Sequence, residues 1–179
     1  MIKQYLALLF ITISVSACGS SQDITPEVSI ESQFQPIVQN FVADAQTQGK
    51  PVTITNLIIQ SVPSLPDEIM GECFSGGLSP PTIQISQEDW DVLTPDGQKV
   101  LLYHELGHCV LGRVHNYNEN NGIPVSIMSP AYIGAAIYDY NKAEYLYELF
   151  WEQDLESAMP MWVPSNVLVP VMPTSPTVQ

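Results

Sequence analysis

Positive charge is scarce in this chain. Five Lys and Arg stand against 19 Asp and Glu among 179 residues, a formal net charge of −14. So acidic a surface repels phosphate backbones and anionic headgroups, which excludes nucleic acid and acidic lipid as electrostatic partners. The acids are scattered rather than gathered in a run, as on a solvated face. Cysteine is scarce too, three in all, too few for a small disulfide-stapled scaffold. The apolar stretch Tyr5–Val15 falls short of the ~20 residues that a membrane-spanning helix needs. Histidine is limited to three, and all lie between residues 104 and 115.

The first residues do not belong to a globular domain. Lys3 precedes the apolar stretch, and Val15-Ser16-Ala17-Cys18 follows it, the order of a signal peptide. These four residues resemble a bacterial lipobox. The resemblance implies cleavage before Cys18, lipidation of Cys18 and a bacterial cell-envelope location. Gly19 in place of Asp points to the outer membrane, with the domain on its periplasmic or surface side. The alternative is an ordinary secreted protein cut near Ala17. Cleavage removes Lys3 and no acid, so the mature chain is one charge more negative.

Residues 18–31 are polar and read as a tether. From Ser32 to Gln48 apolar residues recur at helical spacing, with Pro36 in the first turn and Gly49 at the end. Val52–Val62 is rich in β-branched residues and reads as a strand; a second is expected near Ile69–Phe74 and a third at Thr82–Ser86. A short helical turn at Ser86–Leu93 contains Trp90. Thr94-Pro95 opens a helix, with Thr94 as N-cap and Pro95 at the first position, and this helix stops near Gly112. Asn116–Pro124 reads as loop and Asn141–Glu156 as a last helix. From Pro160 on there are five prolines and no charge, a loose tail. The expectation is an α+β domain over residues 32–157: a small twisted mixed sheet, an N-terminal helix, the His-bearing helix and a C-terminal helix. Residues 1–17 are the signal peptide and 158–179 the Pro-rich tail.

The chemistry concentrates in His104-Glu105-Leu106-Gly107-His108-Cys109-Val110-Leu111-Gly112-Arg113-Val114-His115. Residues four apart on a helix are about 6 Å apart along its axis and roughly 40° apart around it. His104 and His108 can therefore reach one metal ion. Gly112 lets the chain leave the helix, so that His115 can return a third nitrogen. Three neutral imidazoles with an open fourth position suit catalytic rather than structural zinc. Water at the open position has a pKa lowered toward about 7, and the Glu105 carboxylate stands beside it as general base, then general acid. Such a site hydrolyses amide bonds.

The segment resembles the extended zinc motif of the metzincin metallopeptidases. Thirteen residues after His115 stands Met128, in Ser126-Ile127-Met128-Ser129-Pro130-Ala131-Tyr132, which is similar to the Met-turn of the matrixin branch. The resemblance implies Met128 as a floor beneath the zinc ligands His104, His108 and His115, and Pro130 and Tyr132 as walls of a substrate pocket. It also implies a zincin fold, a Zn2+ cofactor and a protein or peptide substrate. One departure is specific. Metzincins place two residues between the second His and the Gly; here there are three, Cys109, Val110 and Leu111. One extra helical residue rotates the exit by about 100°, so the following loop must compensate if His115 is to ligate. Glu119 and Tyr132 are alternative ligands.

With Cys18 lipidated, Cys73 and Cys109 remain, an even count that suggests a disulfide in an oxidising compartment. The other reading makes Cys73 a free thiol capping the metal. The whole reads as a lipid-anchored, monomeric zinc metallopeptidase, reaching the membrane through Cys18 and having no nucleic-acid partner. Two alternatives stay open: an inactive surface lipoprotein using the zinc site as scaffold, and a zinc hydrolase of cell-wall peptides.

Overall fold

A short four-stranded sheet, with two parallel pairings and one antiparallel, packs on the helix that holds the histidines. The computed structural model describes residues 27–66, 69–76 and 79–158, with side chains described through Trp151. The expected signal peptide, Cys18 and the tail from residue 159 lie outside the described residues.

The elements run β1 (Val28–Ile30), α1 (Gln35–Thr47), β2 (Leu57–Val62), β3 (Gly71–Phe74), β4 (Thr82–Ser86), α2 (Gln87–Val92), α3 (Pro95–Cys109), β5 (Glu119–Asn120), β6 (Ile123–Pro124), α4 (Ala135–Tyr140) and α5 (Lys142–Ala158). The domain is α+β with a small mixed sheet. The main sheet has the order β1-β2-β4-β3. β1 and β4 flank β2 in parallel, and β3 closes the edge antiparallel to β4. Alternation puts Leu57 and Ile59 of β2 and Ile83 and Ile85 of β4 in the core, Ile59 opposite Ile83. One face of these strands is thereby buried, as a period of two requires.

α1 buries Val38, Phe41 and Ala45, a 3-then-4 spacing that lays one stripe on the core. Phe41 meets Tyr103 of α3 and Phe150 of α5 with ring centroids 5.1 Å apart in both pairs. The helix closes with a Schellman pair, Lys50 N–H to Ala45 O and Gly49 N–H to Gln46 O, and Gly49 adopts φ +77°. α3 starts as its sequence dictates: the Thr94 hydroxyl accepts from Gly97 N–H at 3.2 Å, and Pro95 follows. Both faces of α3 are covered, with Val100, Leu101, Leu102, Tyr103 and Leu106 all buried.

Four features depart from the sequence reading. β1 lies in the stretch read as tether, so the ordered domain begins before Ser32; three residues are too few to show an alternation. β2 starts at Leu57 rather than Val52, because β1 and β4 pair only with residues 57–62. The segment read as loop holds the hairpin β5–β6, with Asn121 and Gly122 at positive φ in its turn. α4 is a six-residue helix preceding α5, and the sequence reading lacked it.

Candidate metal centre

α3 sets His104 and His108 one turn apart on its cleft-facing edge, and the chain after Gly112 brings His115 back over them. The Nε2 atoms of His104 and His108 are 3.0 Å apart, and those of His104 and His115 are 3.2 Å apart. All three candidate ligand atoms lie within 4.8 Å of one another.

The opposite ring edges explain why these nitrogens face inward. His104 Nδ1 is 2.7 Å from the Ile127 carbonyl, and His108 Nδ1 is 2.7 Å from the Arg113 carbonyl. A carbonyl oxygen only accepts, so each Nδ1 carries the proton and donates it. Each Nε2 then presents a lone pair to the common point. Lone pairs at such distances repel unless a cation stands between them. Two ligands at about 2.1 Å from one ion at a tetrahedral angle would be roughly 3.4 Å apart, close to the separations seen. The donor set therefore fits a divalent ion such as zinc, with the backbone carbonyls orienting the ligands from behind. Protonation of His104 and His115 is disfavoured as well. Burial chiefly, and then the neighbouring imidazoles, push His104 down to about 4 against the Ile127 hydrogen bond, and burial and His108 lower His115.

The extra residue before Gly112 is absorbed earlier than the sequence suggests. Leu106 O accepts from Val110 N–H at 2.8 Å and also from Leu111 N–H at 3.3 Å, the second bond spanning five residues. Gly112 N–H then bonds His108 O, and Arg113 N–H reaches Gly107 O. The last turn of α3 is widened in the manner of a π-turn. Gly112, at φ +67°, makes the reversal that a side chain would oppose. Compensation thus takes place before the glycine rather than in the loop after it, and His115 meets the other two.

Glu105 points to the sheet side of the same helix edge and is 4 % exposed. A Cβ on Gly71 of β3 would lie 3.0 Å from its Cγ and Oε1. The missing side chain at Gly71 is what leaves room for the carboxyl. Burial, reinforced by Glu72, raises Glu105 to about 8. Beneath the trio, Met128 is fully buried, and its Sδ lies 2.3 Å from where a Cβ of Gly107 would be. The turn around Met128 can approach α3 only because residue 107 has no side chain.

A cleft of about 680 Å³ runs past the histidines and Glu105, with β3 on one side and Ser129–Ile133 on the other. Pro130 and Tyr132 both line it. The Tyr132 hydroxyl packs on Gly97, two turns before His104, so this side chain reaches away from the imidazoles. Glu119 is exposed on β5 and is not among the clustered donors. Cys73 of β3 and Cys109 of α3 form a disulfide, with Cα atoms 5.7 Å apart. It ties the cleft's upper strand to the residue after His108 and leaves no thiol at Cys73 to cap a metal.

The sequence reading missed several residues that build the site. Gly71 makes space for Glu105. Arg113, Asn116, Ser126 and Glu148 hold the segments behind the imidazoles. Arg113 carried a signal, as one of only five basic residues in the chain and the one inside the histidine segment.

Comparison with family models, with curated proteins and with solved structures returns no match for this chain.

Proposed function

We propose that this chain is a zinc-dependent metallopeptidase with a metzincin-like catalytic domain. The observation that carries the reading is the convergence of the His104, His108 and His115 Nε2 atoms, two of them with Nδ1–H tied to a backbone carbonyl. A parallel sheet with an antiparallel edge strand above the histidine helix, and a methionine turn below it, agree with a zincin arrangement. Zinc held there lowers the pKa of water and polarises a carbonyl oxygen.

The chain's own residues do the rest. Glu105, beside His104, takes a proton from the attacking water and returns it to the leaving amine. Its elevated pKa in the metal-free protein keeps it a weak acid, and a nearby cation favours its ionised form. A buried carboxyl is costly where it only supports a scaffold, which favours an enzyme over an inactive binding protein. The edge strand β3 and the Ser129–Ile133 wall form an open groove suited to an extended peptide, with Pro130 and Tyr132 beside the residue that follows the cut. Met128 supports the ligands from below. In this reading Cys18 carries the lipid that holds the domain at the cell envelope.

The test is metal analysis combined with a peptidase assay on a mixed peptide library. Zinc near one per chain and cleavage abolished by Glu105→Ala are expected. Equal cleavage by both proteins would exclude the mechanism, and a native protein that takes up no zinc would exclude the site.

A further inference from the structure

We propose that Glu148, on α5 and remote from the cleft, is the positioning residue for the whole histidine trio. The inference rests on the zinc reading above and extends it to a residue with no place in that mechanism.

Glu148 is buried, 8 % exposed, and so is its partner Arg113. The Arg113 guanidinium forms an ion pair with one carboxylate oxygen of Glu148, and its Nη1 donates to the Glu148 and Leu149 carbonyls at 2.7 and 2.8 Å. Arg113 is thereby anchored to α5, and its own carbonyl receives His108 Nδ1–H at 2.7 Å. The second carboxylate oxygen takes the Ser126 hydroxyl at 2.6 Å, and that hydroxyl accepts Met128 N–H at 2.9 Å. The residue between them is Ile127, whose carbonyl receives His104 Nδ1–H. Asn116, next to His115, reaches the Arg113-facing oxygen at 3.4 Å and also donates its backbone N–H to Met128 O.

One carboxylate therefore stands behind all three ligands. It reaches His108 through Arg113, His104 through Ser126 and Ile127, and His115 through Asn116. A buried ion pair is weak support for stability, because desolvation offsets its attraction, and specifying one arrangement is the role it can serve. Here the arrangement specified is the pair of carbonyls that hold two imidazoles in the Nδ1–H form.

Groups that orient metal ligands typically change metal affinity by about 10–100-fold when altered. Zinc dissociation constants are measured on the full chain by competition with a chromophoric chelator. Glu148→Gln keeps the volume and removes the charge; zinc binding weakened about 10–100-fold is expected. Asp44→Asn is the control. Asp44 holds Lys99 and Tyr103 of α3, the helix that carries His104 and His108, at 3.0 and 2.7 Å on the face away from the cleft. Its loss is expected to lower the melting temperature and leave zinc affinity within about twofold. A Glu148→Gln protein binding zinc as tightly as Asp44→Asn would overturn the proposal.

Should Glu148→Gln fail to fold, Ser126→Ala cuts the His104 branch and leaves the Arg113–Glu148 pair behind His108 in place. Weakening of several-fold is expected, and native affinity would overturn the proposal. Imidazole nitrogen NMR of the metal-free protein gives a readout independent of zinc. His104 and His108 are expected as Nδ1–H tautomers in the native chain, with a shift toward Nε2–H in the variants; unchanged tautomers in a folded Glu148→Gln would sink the positioning role. Native protein that never binds zinc fails the functional reading instead, and the two failures are distinguishable.

Discussion

A Cβ placed on Gly107 would lie 2.3 Å from Met128 Sδ and 3.1 Å from its Cε. Gly107 sits between the two helical histidines, so this contact seats the turn around Met128 against the histidine-bearing stretch of α3. Gly107→Ala forces the sulfur away from the helix. The side chain of Met128 is flexible, but it is fully buried, and Leu149 Cδ1 stands 3.3 Å from the same point. Overpacking of this kind costs about 1–3 kcal/mol, more than the intrinsic gain from alanine over glycine in a helix. The expected outcome is a lower denaturation midpoint and weaker zinc binding together. Gly107→Ala combined with a shorter residue at Met128 is expected to recover part of the stability. An alanine variant as stable as the native chain would show that the contact is loose.

Gly71 makes the corresponding space above the helix. Its hypothetical Cβ meets Glu105 and Ile85 at 3.0 Å, a distance at which the neighbours must give by a few tenths of an ångström. Ile85 is in the core and resists; the Glu105 carboxyl yields. Gly71→Ala is therefore expected to lower kcat, by roughly 10-fold or more given what misplaced general bases cost, with zinc content unchanged. Zinc loss accompanying the fall in activity would mean that the strand, not the carboxyl, had moved.

Much of the site was legible in the sequence because its signals are local. Thr94 and Pro95 start a helix by cap chemistry within four residues, and the i, i+4 spacing of His104 and His108 needs only that helix. The one-residue insertion before Gly112 was visible, but its resolution was not. No local residue pattern signals that Val110 and Leu111 will share the Leu106 carbonyl. Gly71 and Glu148 were illegible for a different reason. Each acts across a long gap in the chain, on Glu105 and on Arg113, and no spacing rule pairs such residues. β1, β5 and β6 are two or three residues long, too short for periodicity, and they exist because a neighbouring strand offers hydrogen bonds.

Stability of the metal-free protein has a pH dependence of definite sign. Burial holds His104 at about 4 against an ordinary 6.5. The unfolded chain takes up that proton first, so this contribution is complete above pH 6.5 and is lost as pH falls toward 4. His115 acts in the same direction. Glu105 acts oppositely. Burial and Glu72 raise it from 4.5 to about 8, so its contribution is present below 4.5 and is lost as pH rises toward 8. Above pH 6.5 the contributions of His104 and His115 are complete, while that of Glu105 still falls. Denaturant titration of chelator-treated protein is expected to show stability falling between pH 6.5 and 8, on the order of 2 kcal/mol. Glu105→Gln removes this decline. The same decline in both proteins would show that another group titrates there.

The Cys73–Cys109 disulfide joins the edge strand to the last residue of α3 across 36 residues of chain. Closing a loop of that length contributes about 3–4 kcal/mol in the chain-entropy model. The bond also does something that loop entropy does not describe. β3 is held by β4 on one side only, and Gly71, two residues before Cys73, shapes the space for Glu105. Cys73→Ser/Cys109→Ser is therefore expected to lose about 3–4 kcal/mol by denaturant titration and, at temperatures where the variant remains folded, to show reduced kcat with zinc retained. The same pattern is expected when the native protein is treated with a phosphine reductant, and it reverses on reoxidation. Lower stability with native kcat would confine the disulfide to tying the fold, leaving the edge strand to be placed by β4 and by its packing on α3.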